Sequence, residues 1–239
     1  QTGKVDPEAV DFYKKYPTQE AFDTAHRAAL QQVADNSVPG MRIPLSVLTG
    51  QIALDGEFKS TFETRKTGAK AGKGQKIDAY TRQRAEAEDQ LMQISQDSTV
   101  RPKYGVLINR HDPEGHVRKT GDWLDQYGDA TVIFKPNVRD RTTFTENDSL
   151  DSRGFRLPSP LNKASELSGF PGYSVGEHMR ALKVTQPDAG MFYHEAQYHG
   201  RLGVEDIHHV YLNKPPSSTQ QRKLESMSKK NGFTWSVVS

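Results

Sequence analysis

The apolar residues of this chain change their spacing near residue 100, and that change limits the fold more than any single motif does. Before it they recur at helical intervals. Phe22, Ala25, Ala29 and Val33 follow Thr18, and Ile77, Tyr80, Ala87, Leu91 and Ile94 share one stripe opposite a charged face. Asp6-Pro7-Glu8 adds a cap followed by proline at a first helical position, so the N-terminal third reads as helices, one of them broken at Asn36 and Gly40. After residue 100 the apolar runs are short and bounded by turn residues, which predicts strands over 104–109, 131–135, 141–145, 190–197, 207–212 and 232–237. Segments such as 146–174, rich in Gly, Asp, Ser and Pro, read as long surface loops. The expected architecture is α+β: a mostly antiparallel β core under an N-terminal helical cap. It is expected to form one domain, with a helical extension over 1–40 and a core over 41–239.

Composition removes several function classes. With 32 Lys+Arg against 30 Asp+Glu the formal charge is only +2, and the basic residues are mostly interleaved with acids, so nucleic acid is not the expected main partner. Two basic stretches, 65–76 (RKTGAKAGKGQK) and 222–230 (RKLESMSKK), read as a solvated loop and a helix surface. The first lacks the spacing of a phosphate loop, because Gly68, Gly72, Lys73 and Gly74 do not give the four-residue gap followed by Lys and Ser/Thr. The mean hydropathy is −0.77, yet 10 Phe, 9 Tyr and 2 Trp are enough to build a core. No apolar run approaches the roughly 18–20 residues that a membrane helix needs, and no membrane partner is expected. The absence of Cys excludes disulfides, thiolate nucleophiles and thiolate-ligated metals, so any chemistry falls to oxygen and nitrogen side chains.

Three groups of residues could carry such chemistry. Gly172-Tyr173-Ser174-Val175-Gly176 fits a serine-hydrolase elbow with Asp188 and histidines later in the chain, but a turn-like run ending in Pro171 precedes it where a buried strand is required. A second group is His194, His199, His208 and His209. His194 and His199 are five residues apart, which sends them about 140° apart on a helix and to opposite faces of a strand, so they do not form a metal pair. The third is Arg42, Phe62 and His194-Glu195. Residues 55–64 (DGEFKSTFET) read as a turn continuing into an alternating strand, and Glu195 places a carboxylate in an otherwise apolar and aromatic run, where burial without a partner or a function is costly.

The blocks DGEFKSTFET (55–64), RPKYGVL (101–107), RTTFTENDS (141–149) and YHEAQYHG (193–200) occur in an order that resembles a bacterial domain family including the CteC-like type III effectors. Those effectors are threonine-specific ADP-ribosyltransferases that modify host ubiquitin. The resemblance covers about residues 42–212 and implies an ADP-ribosyltransferase-like core, NAD as substrate, no metal, and ubiquitin as protein partner. It also implies secretion from a bacterium into the host cytosol, and a start at Gln1 fits a trimmed secretion segment. A monomer is expected. Carried over, the resemblance puts Glu195 and His194 in the catalytic set and Arg42, Phe62 and Ser60 in the cofactor-binding set. Around Arg42 the sequence (PGMRIP) departs from the family's His-Pro-Asp-Arg run, and Tyr193 replaces the first acid of the Glu-x-Glu pair found in many arginine-specific enzymes.

The chemistry implied is cleavage of the nicotinamide–ribose bond through an oxocarbenium-like transition state, which a nearby anion stabilises. Glu195 would accept a hydrogen bond from the ribose 2′-hydroxyl. Arg42 would fork onto the pyrophosphate, a charge-assisted contact of about 1.5–3 kcal/mol. Phe62 would stack on the cationic ring, and His194 or Glu195 would take the proton of the acceptor threonine. Both can reach one site only at a bulge or a strand end, because neighbours in a regular strand face opposite ways. Two other classes stay open: a hydrolase using Ser174 or a metal on His194/His208/His209, and a noncatalytic partner-binding module. The loops 65–76 and 146–174 are the expected protein-substrate contacts.

Overall fold

A computed structural model of the chain describes residues 14–64, 77–119, 125–146, 149–150, 159–160 and 194–238. Asp6-Pro7-Glu8, the loop 65–76, Ser174 and residues 190–193 lie outside them. Helix α1 (Gln19–Asp35) begins where Thr18 accepts a hydrogen bond from the Ala21 amide and ends at the Asn36 cap, as its spacing predicts. A helical segment over 45–55, α2, follows strand β1 and contains a π-helical turn (Leu48–Ile52) between short α turns. The other helices among the described residues are α3 (Thr61–Thr64), α4 (Ile77–Met92), α5 (Pro113–Lys119) and α6 (Ser218–Asn231).

Eight strands form one sheet: β1 (Ser37–Ile43), β2 (Lys103–Asn109), β3 (Ala130–Phe134), β4 (Thr142–Glu146), β5 (Ser159–Pro160), β6 (His194–Tyr198), β7 (Ile207–Leu212) and β8 (Thr234–Val237). Their order is β5-β4-β6-β2-β1-β3-β7-β8, and only β7 and β8 pair in parallel. The chain is therefore α+β with a mostly antiparallel sheet.

Two readings of the sequence need correction, beside the surface loop expected over 146–174, whose Ser149 is buried and whose Ser159–Pro160 form β5. Residues 55–64 are not a strand: Gly56 takes a left-handed conformation (φ 72°), Glu57 makes an isolated bridge to Gly203, and 61–64 are helical. The reason is a capping box. The Ser60 amide donates to Glu63 Oε2 at 2.7 Å, and the Glu63 amide donates back to Ser60 Oγ at 3.3 Å. The second correction concerns the residues after α1: that helix does end at Asn36, but Ser37–Ile43, including Gly40, form strand β1 near the centre of the sheet, between β2 and β3. The boundary drawn at residue 40 falls inside this strand. Its Pro39-Gly40 pair reads as a turn in sequence, yet the glycine is a packing requirement: a β-carbon at Gly40 would lie 2.8 Å from Ile108 Cγ1.

The register divides the sheet into two unlike faces. One carries Met41, Leu107, Val132, Phe144, Ala196, Tyr198 and Val210, and belongs to a core completed by Ala34 of α1, Leu45, Leu48 and Ile52 of α2, and Leu224 and Met227 of α6. The opposite face carries Thr143, Thr145, Glu195, Gln197, Tyr104, Arg42 and Thr131, with a small apolar group at Val106, Ile108 and Ile133. Among the described residues no helix is long and apolar enough to cross a membrane.

Candidate functional site

The polar face is closed on its β6–β2 side by α4, whose buried stripe contains Thr81, Arg84 and Glu88 beside Ala85, Ala87 and Leu91. Helical spacing puts Arg84 and Glu88 one turn apart on the same side, directly over Tyr104 and Glu195. Glu195 is 4% exposed, and its Oε1 accepts the Ser149 hydroxyl and, at 3.0 Å, the Gln197 amide nitrogen. Arg84 Nη1 donates to Ser149 Oγ at 2.6 Å and stands 3.7 Å from Glu195 Oε1. Since a guanidinium can only donate, the single Ser149 hydrogen must go to the carboxylate.

The Arg84 guanidinium also lies 4.0 Å from the centre of the Tyr104 ring. The Tyr104 hydroxyl donates to Glu88 Oε1 at 2.7 Å, and Arg101 Nη1 pairs with Glu88 Oε2 at the same distance. Arg101 continues to the carbonyls of Ser95, Gln96 and Ser98, beyond the end of α4, and rests 4.6 Å above the Phe62 ring. The cluster thus sets two guanidiniums against two carboxylates, a balance without which so much buried charge would be prohibitive. Burial holds the Tyr104 phenol well above its ordinary pKa, with the charges of Glu88 and Glu195 adding to the effect and Arg84 opposing it. The tyrosine is therefore a neutral donor at pH 7.

The residues expected from sequence fall into different places. Glu195 is at the centre of the cluster and Phe62 at its far end, joined to it through Arg101, Glu88, Tyr104 and Arg84. Ser60 is the buried cap of α3, the helix that carries Phe62. His194 is not beside Glu195. The pairing is regular (Thr145 opposite Glu195, Glu146 opposite His194), so His194 points to the apolar face, where its ring centre is 6.0 Å from that of Phe144. A proton relay shared by the two residues is excluded by that geometry.

Arg42 lies on the same face as Glu195 but two strands away, at roughly 12 Å by strand spacing and rise. Its Nε donates to the Gly128 carbonyl at 2.8 Å, Nη1 to Thr131 Oγ1 at 2.6 Å, and Nη2 pairs with Asp125. The histidines do not converge either. His208 is exposed, and His209 on β7 bonds Thr234 Oγ1 at 2.6 Å, four strands from His194. No three His, Asp or Glu among the described residues are placed to hold a metal ion.

Sequence reasoning missed Arg84, Ser149, Glu88 and Tyr104. A signal for the α4 pair was present, because Arg84 and Glu88 interrupt the helix's own apolar stripe. For Ser149 there was none, since only the fold brings it to Glu195. A shallow cleft of about 390 Å³ opens beyond the end of β6, lined among others by Ser95, Arg101, His199 and Gly200.

No family model matches the chain. It is 32% identical over 127 residues to the Gene 2 protein of Mycobacterium phage D29, and 32% identical over 126 residues to the Gene 2 protein of Mycobacterium phage L5. Each match covers 48% of this chain and 47% of the relative, so the matched region spans about half the length of those phage proteins.

Proposed function

We propose that the chain is a mono-ADP-ribosyltransferase that uses NAD, with Glu195 as the carboxylate that engages the nicotinamide ribose. The observation carrying this reading is Glu195 itself: an acid on an interior strand, bonded by a serine hydroxyl and an amide and faced by Arg84. A carboxylate that accepts one hydroxyl hydrogen bond in the resting state is suited to accept another from a sugar. The ribose 2′-hydroxyl replaces that of Ser149 on Oε1, and the negative charge then stands beside the carbon that becomes cationic. The bond from ribose C1′ to the nicotinamide nitrogen breaks, and its electron pair leaves with the neutral nicotinamide. The acceptor oxygen bonds to C1′, and its proton passes to Glu195, because His194 faces the other side of the sheet. Among the described residues Arg84 is the guanidinium nearest this centre, and it is the phosphate ligand of this reading; the donors of Arg42 go to protein acceptors. The acceptor implied by the resemblance is a threonine hydroxyl of host ubiquitin.

The test is calorimetry with NAD followed by intact-mass analysis of ubiquitin incubated with the chain and NAD. A gain of one ADP-ribose, lost in Glu195→Gln with the fold preserved by circular dichroism, is the expected result. NAD consumption with ubiquitin unmodified removes only the acceptor. A wild-type chain that neither binds nor consumes NAD removes the transferase reading. The depth of the cluster would then mark it as a structural ion network in a noncatalytic binding module.

A further inference from the structure

The hydrogen bonds around Gln197 have a single consistent direction, and it leads from Glu195 to a histidine that has no part in the chemistry above. The Gln197 side-chain amide faces Glu195 Oε1 at 3.0 Å, Thr145 Oγ1 at 3.1 Å and the Glu195 backbone carbonyl at 3.3 Å on one side. The two Glu195 oxygens have no hydrogen to give, since the carbonyl has none and Oε1 already accepts from Ser149, so the amide nitrogen must be the end that faces them. Its oxygen therefore faces Thr143 Oγ1, 3.0 Å away, and takes that residue's only hydroxyl hydrogen. His199 Nε2 lies 2.9 Å from the same Thr143 oxygen, so it has to be the donor. Every hydrogen in the string then points the same way, from His199 through Thr143 and Gln197 to the carboxylate. Strings aligned in this manner strengthen one another.

We propose that His199 is a positioning residue for Glu195. Acting through Thr143 from a ring in its Nε2–H form, it locks the Gln197 amide so that the nitrogen, and not the oxygen, meets the carboxylate. Burial lowers the basicity of the ring, so at neutral pH the ring is uncharged and its one hydrogen has to be on Nε2 for the string to hold. Gln197 is 0% exposed, so nothing outside the protein can replace the lost orientation if the string is cut. His199 also lines the cleft beyond β6, so the string begins at a residue open to that cleft. The catalytic consequence rests on the transferase reading; the orientation of the amide does not.

The experiment separates the two. Nitrogen-15 NMR of the full chain at neutral pH reads the His199 tautomer and the Gln197 side-chain amide directly. The expected spectrum shows His199 with its hydrogen on Nε2, a shifted Gln197 amide signal in Thr143→Val, and the wild-type position restored in Thr143→Ser. An Nδ1–H tautomer, or a Gln197 signal unmoved by Thr143→Val, would overturn the proposal whatever the activity. If the wild type turns over NAD, Thr143→Val should lower kcat about ten-fold with the KM for NAD little changed, the order of loss seen when an outer hydrogen-bond partner is removed. Equal kcat in both would also overturn it. A wild type without turnover would count against the transferase alone, and the spectra would still decide the string.

Discussion

Arg42 and Arg84 are both nearly enclosed, at 6% and 4% exposure, and both sit at the polar face of the sheet, yet they use that burial in opposite ways. Arg42 spends its donors on a backbone carbonyl, a threonine hydroxyl and Asp125, and so fastens the turn around residues 125–128 to β1 and β3. Arg84 meets a serine hydroxyl, a tyrosine ring and the Glu195 carboxylate. Each guanidinium thus has a hydroxyl and a carboxylate, so neither burial nor partner type identifies a site; what differs is that Arg42 ties a turn to the sheet whereas Arg84 faces the carboxylate of the proposed chemistry. Burial lowers the basicity of Arg42, with Asp125 opposing, and a guanidinium stays charged through any such shift.

Four experiments would break or sharpen this contrast. Arg84→Met strips the charge facing Glu195, and leaving a buried carboxylate unmatched should cost about 3–5 kcal/mol in urea unfolding. Adding Glu195→Leu should return much of that loss, and a double variant no more stable than the single one would show the pair to be uncoupled. Arg42→Met should cost about 1.5–3 kcal/mol through its lost charged hydrogen bonds. Its NAD affinity decides what Arg42 is: a change below about two-fold after correction for stability leaves it a fastener, whereas a large loss returns it to the phosphate. Ser60→Ala removes the cap of the helix that holds Phe62 under Arg101, and about 1 kcal/mol of stability should go with it.

The smallest effect is that of mild acid. Burial is the main cause that lowers the pKa of His116, His199 and His209 below the ordinary histidine value. The unfolded chain therefore takes up protons that the folded one resists. Stability is fully present above about pH 6.5 and declines as the pH falls from there through the lower folded values. His199 directly follows β6 and His209 is on β7, three strands beyond β2, so acid should loosen both ends of the sheet. Hydrogen exchange measured between pH 7 and pH 5, on the order of the histidine titration range, reports whether one softens first.

Much of the fold could be read from the spacing of apolar residues. Thr18 and Asn36 mark the ends of α1, and β2, β3, β4 and β7 lie within a residue of their expected limits. The failures have physical causes. Pro39 and Gly40 follow the local rules of a turn, but the central strand needs a residue without a side chain where Ile108 crosses it. Ser60-Thr61-Phe62-Glu63 alternates like a strand and also satisfies the capping-box spacing, and the reciprocal bonds of the cap win. Glu195 was legible because a carboxylate among aromatic residues breaks its own surroundings. Its partners were harder: Arg84 reaches it from a helix more than a hundred positions earlier, and Ser149 from a turn whose sequence carries no sign of the contact.

The parallel pair β7–β8 has a kinetic consequence. Its two strands and the helix between them occupy one continuous stretch, 207–237, so the unit needs only short-range closure to assemble. The strand at the middle of the sheet is in the opposite position: Ser37 must find Asn109, and Gly40 must find Ile133. Distant pairings of that kind slow a chain's folding. A pulse-labelling experiment should therefore see amide protection at Val210 and Trp235 before Met41, with the C-terminal unit acting as the seed on which the sheet grows inward.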